Sequence, residues 1–128
     1  MSIRVLLSVI AALLLLNGCA THGISVGCDH AEQDLEQAVK IYEDGDYAIA
    51  IVILHHALQN GLRSKRDQAR AYKYIAFIHC VSNREKQCRE AFKKAFEVDP
   101  GFTLQPAESG HPVWGPVFRG IVGSKAAK

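Results

Sequence analysis

Ala69-Arg70-Ala71-Tyr72-Lys73-Tyr74-Ile75-Ala76-Phe77-Ile78-His79-Cys80, a break at 81–84, then Glu85-Lys86-Gln87-Cys88-Arg89-Glu90-Ala91-Phe92-Lys93-Lys94-Ala95-Phe96-Glu97-Val98-Asp99-Pro100 is the stretch that decides the fold. Its first half carries Tyr72, Ile75, Ala76 and His79 at spacings of three and four, and its second carries Cys88, Phe92, Ala95 and Phe96 in the same way. That period puts each set on one face of a helix. Small residues (Ala76, Cys88, Ala95) let two antiparallel helices approach closely where they cross, and Tyr72 and Phe92 fill the space above and below. The stretch predicts a helical hairpin ending at Pro100, with helices over 65–81 and 83–98.

The preceding stretch repeats the design. Leu35, Ala38, Val39, Ile41 and Tyr42 form one helical face, Glu43-Asp44-Gly45-Asp46 is a turn, and Tyr47 to Asn60 is a second helix. A fixed offset superposes Ala38 on Ala76, Ala50 on Cys88, Leu54 on Phe92 and Ala57 on Ala95. Both units resemble the tetratricopeptide repeat, with its aromatic and small residues at fixed places and its closing proline. The offset exceeds that repeat's usual length, which places extra residues near 63–67, where Ser64 and Asp67 read as a capping box. Ser82 and Glu85 read as another. The run from Tyr47 to Leu54 is β-branched enough to pass for a strand, but the sequence holds no partner strand for it. In helical register Ala50, Leu54 and Ala57 point inward and Ile49, Val52 and Ile53 point away, so the outer face calls for a cover. The expected fold is all-α: two tetratricopeptide-like helix-turn-helix repeats over 31–100, with first helices at 31–43 and 65–81, and a C-terminal capping segment over 101–128.

Ahead of the repeats lies Met1-Ser2-Ile3-Arg4, then an apolar run from Val5 to Leu16 interrupted only by Ser8, then Asn17-Gly18-Cys19-Ala20. A charged start and a short apolar segment are the marks of a secretory signal, too short to span a bilayer as a mature helix. Leu16, Gly18 and Cys19 resemble the lipobox of bacterial lipoproteins, with Asn17 a less usual choice. That resemblance implies a signal peptide over 1–18, acylation of Cys19, a lipidated tether over 19–30, and, since Ala20 follows the cysteine, an outer-membrane address facing the periplasm. Several acyl chains anchor far better than one.

Without residues 1–18 only Arg4 is lost among the charges, leaving 14 basic residues against 13 acidic. Such a balance offers no basic stripe, and nucleic acid is not an expected partner. The remaining 110 residues suffice for one small core. Six histidines raise the question of metal chemistry. His55 and His56 are neighbours on a helix and diverge by about 100°, His79 sits at a groove edge, and His22, His30 and His111 fall in loops. No His-Glu-x-x-His, Cys-x-x-Cys, Gly-x-Ser-x-Gly or phosphate loop is present. We therefore expect no enzyme, no catalytic residues, no metal, no small-molecule substrate and no cofactor beyond the lipid on Cys19.

Cys80 and Cys88 admit two readings. In an oxidising periplasm they form a bridge across the turn, closing a loop of about nine residues. Otherwise Cys88 is the small buried residue of its helix and Cys80 a free thiol. The helical offset between them bears on whether their Cα atoms come within bridging range. Cys28 is the leftover.

After Pro100 the pattern changes. Phe102 and Leu104 read as an extended segment laid over the last helix. Pro112 or Pro116 can open a short helix that presents Trp114, Val117, Phe118 and Ile121 on one side. Trp114 and Phe118 either cap the stack, over Ile49, Val52 and Ile53 or over the end of helix 83–98, or serve as a recognition tail; capping is preferred, since repeat stacks need closed ends. His79-Cys80-Val81-Ser82-Asn83-Arg84, Gln87-Cys88-Arg89, Val98-Asp99-Pro100, Pro106-Ala107-Glu108 and His111-Pro112-Val113-Trp114-Gly115-Pro116-Val117-Phe118 are together similar to the small tetratricopeptide lipoproteins associated with type VI secretion systems. That resemblance implies an accessory, non-enzymatic role with a protein partner from a secretion or envelope assembly. A pilotin-like chaperone for a secretin or type IV pilus component is the alternative. The groove expected to receive the partner is lined by Leu35, Val39, Tyr42, Arg70, Lys73 and Phe77, although Tyr42 and Phe77 equally suit packing between the two first helices.

Overall fold

A computed structural model of the chain describes residues 28–127, and among these residues the structure is all-helical, with six helices and no strand. The helices are α1 (Cys28–Glu43), α2 (Tyr47–Asn60), α3 (Lys65–Val81), α4 (Glu85–Val98), α5 (Pro106–Ser109) and α6 (Trp114–Ala126). α1 packs chiefly on α2 and α3 chiefly on α4, giving two hairpins joined mainly through α2 and α3; α6 lies on α4 and touches α3. Residues 1–27, which hold Cys19 and the segment expected to be a signal peptide, lie outside the described residues.

Each turn has a local cause. Gly45 takes φ +87°, which an L side chain rarely adopts, and the Asp46 carboxylate accepts from the Ile49 amide to cap α2. Ser64 caps α3: its Oγ accepts from the Asp67 amide at 2.9 Å and donates to the Asp67 carboxylate at 2.7 Å. The expected second capping box does not form. Ser82 ends α3 instead, Asn83 takes a left-handed φ of +58°, and α4 starts at Glu85 with Arg84 at the cap and no side-chain cap bond. The reversal is too tight for Ser82 to serve both helices. α1 also begins at Cys28 rather than at residue 31, so the last three residues of the expected tether are helical.

Ala38, Ala50, Ala57, Ala76, Cys88 and Ala95 are fully buried, and Phe92, Leu35, Leu54 and Ile78 fill the space between them. This is the packing the periodicity calls for. The β-branched run of α2 is helical, with Ala50, Leu54 and Ala57 inward. Its outer face is not covered by the tail: Ile49 is 50% and Val52 66% exposed.

The tail goes elsewhere. Phe102 and Leu104 pass over the end of α4, Leu104 buried and Phe102 meeting Phe96 edge-on at 5.4 Å. Pro106 opens α5, a short helix absent from the sequence reading. Phe118 of α6 sits on α4 against Phe92 (5.4 Å) and Phe96 (5.6 Å). Gly115 permits the close approach of α6 to α5, since a Cβ there would lie 2.6 Å from the Ser109 carbonyl oxygen. No helix among the described residues is long and apolar enough to cross a membrane.

Candidate functional site

The face of α3 that carries Arg70, Lys73 and Phe77 was expected to form an open groove with α1. Much of that face is filled by the chain itself. Trp114 stacks on Phe77 at 4.1 Å, and His111 stacks on Trp114 at 3.3 Å. The indole Nε1 donates to the Glu108 carbonyl at 2.8 Å. Lys73, only 9% exposed, donates to the Glu108 carboxylate at 2.6 Å, and the other oxygen of that carboxylate accepts the Gln105 amide at 3.0 Å. Glu108 thus holds α5, α6 and α3 together through three bonds.

Four of the six groove residues consequently cannot offer an open surface. Leu35, Val39 and Phe77 are core, at 1%, 6% and 2% exposure, and Lys73 is committed to Glu108. The physical reason is that Trp114 and Glu108 satisfy apolar and charged demands of α3 that a partner was expected to meet. Tyr42 lies half-buried in an aromatic cluster with Tyr47, Tyr74 and Phe77, at ring separations of 5.4, 5.0 and 6.3 Å. Burial pushes its phenol up to about 12, with Tyr47, Tyr74 and Glu108 adding to the shift. Tyr42 and Phe77 therefore pack between α1 and α3.

Arg70 retains a presence at the surface. It grips the Glu36 carboxylate of α1 in a two-pronged ion pair, and that hydrogen bond holds the Glu36 carboxyl below its ordinary range. Beside it a cleft of about 600 Å³ remains open between the first half of α3 and the segment 99–105. Arg66, Arg70, Lys73 and Tyr74 form one wall, and Asp99, Phe102 and Gln105 face them. Burial raises the Tyr74 phenol as well.

No family model, curated protein or solved structure matches the chain.

Cys80 and Cys88 are brought to bonding distance, S–S 2.00 Å with Cα atoms 5.1 Å apart, within the usual bridging range. The left-handed Asn83 turns the chain sharply enough to cancel the helical offset. Of the histidines only His55 and His79 are brought to one cleft among the described residues. His56 pairs with Asp34 of α1 at 2.8 Å, while His55 faces α3 and α4; no group of three or more His, Cys, Asp or Glu that could hold a metal occurs among the described residues. Arg66 and Glu108 were missed in the sequence. The signal for Arg66 was its position one turn before Arg70. That for Glu108 was its place two residues after Pro106, where a carboxylate can reach back to the start of a short helix.

Proposed function

We infer that this chain is a protein-interaction module built of two tetratricopeptide-like hairpins, anchored by lipid on Cys19 to the outer membrane and facing the periplasm. The fully buried small residues at the helix crossings, Ala38 and Ala50 in one hairpin and Ala76 and Cys88 in the other, support the repeat reading. Leu16, Gly18 and Cys19 at the end of the apolar run support the anchor. The motifs shared with type VI secretion lipoproteins favour an accessory role beside such an assembly.

The cleft of Arg66, Arg70 and Tyr74 carries the functional reading. It combines two cations, Arg70 held by Glu36 and Arg66 exposed beside it, with a half-buried aromatic and an apolar side chain, Phe102, which is the composition of an interface anchor. A short extended segment with a carboxylate fits it, held weakly unless tethering raises its effective concentration. Arg66→Glu with Arg70→Glu is the decisive variant, because neither residue is hydrogen-bonded or ion-paired to Glu108 or Trp114. We expect it to fold and to lose its partner in a co-purification from envelopes. A folded double variant with undiminished capture refutes the site. Cys19→Ser is expected to leave an unprocessed or soluble form; its recovery as mature protein in outer membranes refutes the anchor.

A further inference from the structure

On the opposite side of α3, a second cleft of about 390 Å³ runs between α2 and α4. Its floor is apolar, made by Tyr72 and Ile75 of α3 and Ala91 of α4. Its rim is cationic. Lys86 and Lys94 stand on α4, His79 on α3 and His55 on α2. Acidic residues do little to balance them: Glu90 at the rim is engaged by Lys93, and Glu85 by Arg89. Lys94 lies over the Tyr72 ring at 5.8 Å, and Lys86 has no ion pair among the described residues. On α2, three residues before His55, Val52 is 66% exposed.

We propose that this cleft is a second docking site, whose occupant is an amphipathic protein segment bearing apolar side chains along one face and carboxylates at its edges. The apolar floor calls for an apolar face, and the unbalanced Lys86 and Lys94 call for carboxylates, so only an acidic segment satisfies both. A basic or neutral segment would leave the two lysines beside it unpaired. Such an occupant differs from that of the Arg66 and Arg70 cleft, which lies on the other face of α3, and it does not depend on the reading given for that cleft.

The histidines give the site a signature. Burial lowers both from the ordinary histidine range, with Lys94 pressing further on His55, and Arg84 and His55 on His79. His79 Nδ1 accepts the Arg84 Nε hydrogen at 3.0 Å, which requires a neutral ring. The charged and titratable groups around the pair are Lys86, Glu90 and Lys94 of α4, Tyr72 of α3 and Arg84 of the turn. Carboxylates arriving in the cleft oppose this cationic field and raise both histidines. Binding then takes up protons, and affinity grows as pH falls below about 6.5, until the ligand's own carboxylates protonate near about 4.3.

The test is isothermal titration of the full chain in a non-ionic detergent, against a short synthetic helix with leucine on one face and glutamate on the other. A lysine-for-glutamate counterpart and the detergent alone serve as controls. The glutamate peptide is expected to bind, and the lysine peptide not to. Lys86→Glu with Lys94→Glu, both exposed, should weaken binding by more than about ten-fold. Arg66→Glu with Arg70→Glu should leave it unchanged. Affinity should rise about ten-fold for each pH unit by which a histidine is lifted on binding, and His55→Gln with His79→Gln should flatten that rise while binding persists. Equal binding of both peptides, indifference to the Lys86 and Lys94 changes, or loss of binding in the Arg66 and Arg70 variant overturns the proposal.

Discussion

Trp114→Ala tests how the tail is held. The indole is 8% exposed, sandwiched between Phe77 and His111, and bonded through Nε1 to the Glu108 carbonyl. Truncating a buried tryptophan in a rigid setting costs about 3–5 kcal/mol. The lower end applies if α6 relaxes toward α3, and the upper end if Phe77 is left facing a void. The Glu108 carbonyl also loses a donor, a loss of about 1 kcal/mol where water cannot replace it. In a domain of this size 1 kcal/mol corresponds to about 4–8 °C in the midpoint, so a loss of at least about 12 °C is expected in thermal unfolding followed by circular dichroism. Trp114→Phe separates the contributions, since it keeps a ring on Phe77 and removes only the N–H and some area; it should recover more than half of the loss. An unchanged midpoint for Trp114→Ala refutes the sandwich and makes the tail a free recognition element. Equal losses in both variants would show that the hydrogen bond, not the stack, fixes α6.

Lys73→Ala leaves the Glu108 carboxylate without its cation in a partly buried place, and urea unfolding should register a loss of about 2–3 kcal/mol, much larger than an exposed ion pair gives. Reduction of the Cys80–Cys88 bridge, whose cysteines are eight positions apart, should lower stability by about 2–3 kcal/mol from loop closure alone; dithiothreitol should shift the midpoint of the wild type and not that of Cys80→Ala with Cys88→Ala. His55 and His79 are lowered in the folded chain, so the unfolded chain binds more protons just below the ordinary histidine value. Their contribution is complete above about 6.5 and declines as pH falls through that value toward the folded ones. Thermal midpoints should drop between neutral and mildly acidic pH, and less so in His55→Gln with His79→Gln.

The helices were legible because their signals are local. Ala50, Leu54 and Ala57 mark an inward stripe strongly enough to override the β-branched residues around them, and Gly45 with Asp46 and Ser64 with Asp67 mark helix starts. The tail's destination was not legible. Trp114 could have covered Ile49 and Val52 of α2 as well as Phe77 of α3, and apolar area does not discriminate between them. What decides is polar: Glu108 bonds Lys73, and its carbonyl fixes the indole, so the tail is steered by one ion pair formed across 35 positions of sequence. The expected groove failed for the same reason. Arg70 and Lys73 look equivalent in sequence, yet Arg70 meets Glu36 near solvent and Lys73 is sealed under α5.

The tail also makes the two hairpins unequal. α4 is covered on one side by α3 and on another by α6, through Phe92, Phe96 and Phe118. α2 has α1 and α3 for company and, among the described residues, nothing that covers Ile49 and Val52. Packed helical hairpins open first where they are least supported. Amide protons of α1 and α2 should therefore exchange through a partial opening that leaves α3, α4 and α6 intact, while those of α4 wait for the whole domain to unfold. The first hairpin is also the one that follows directly on the N-terminal segment, so a pull delivered through that segment would reach the weaker half first and spare the half that holds both clefts' α3 walls.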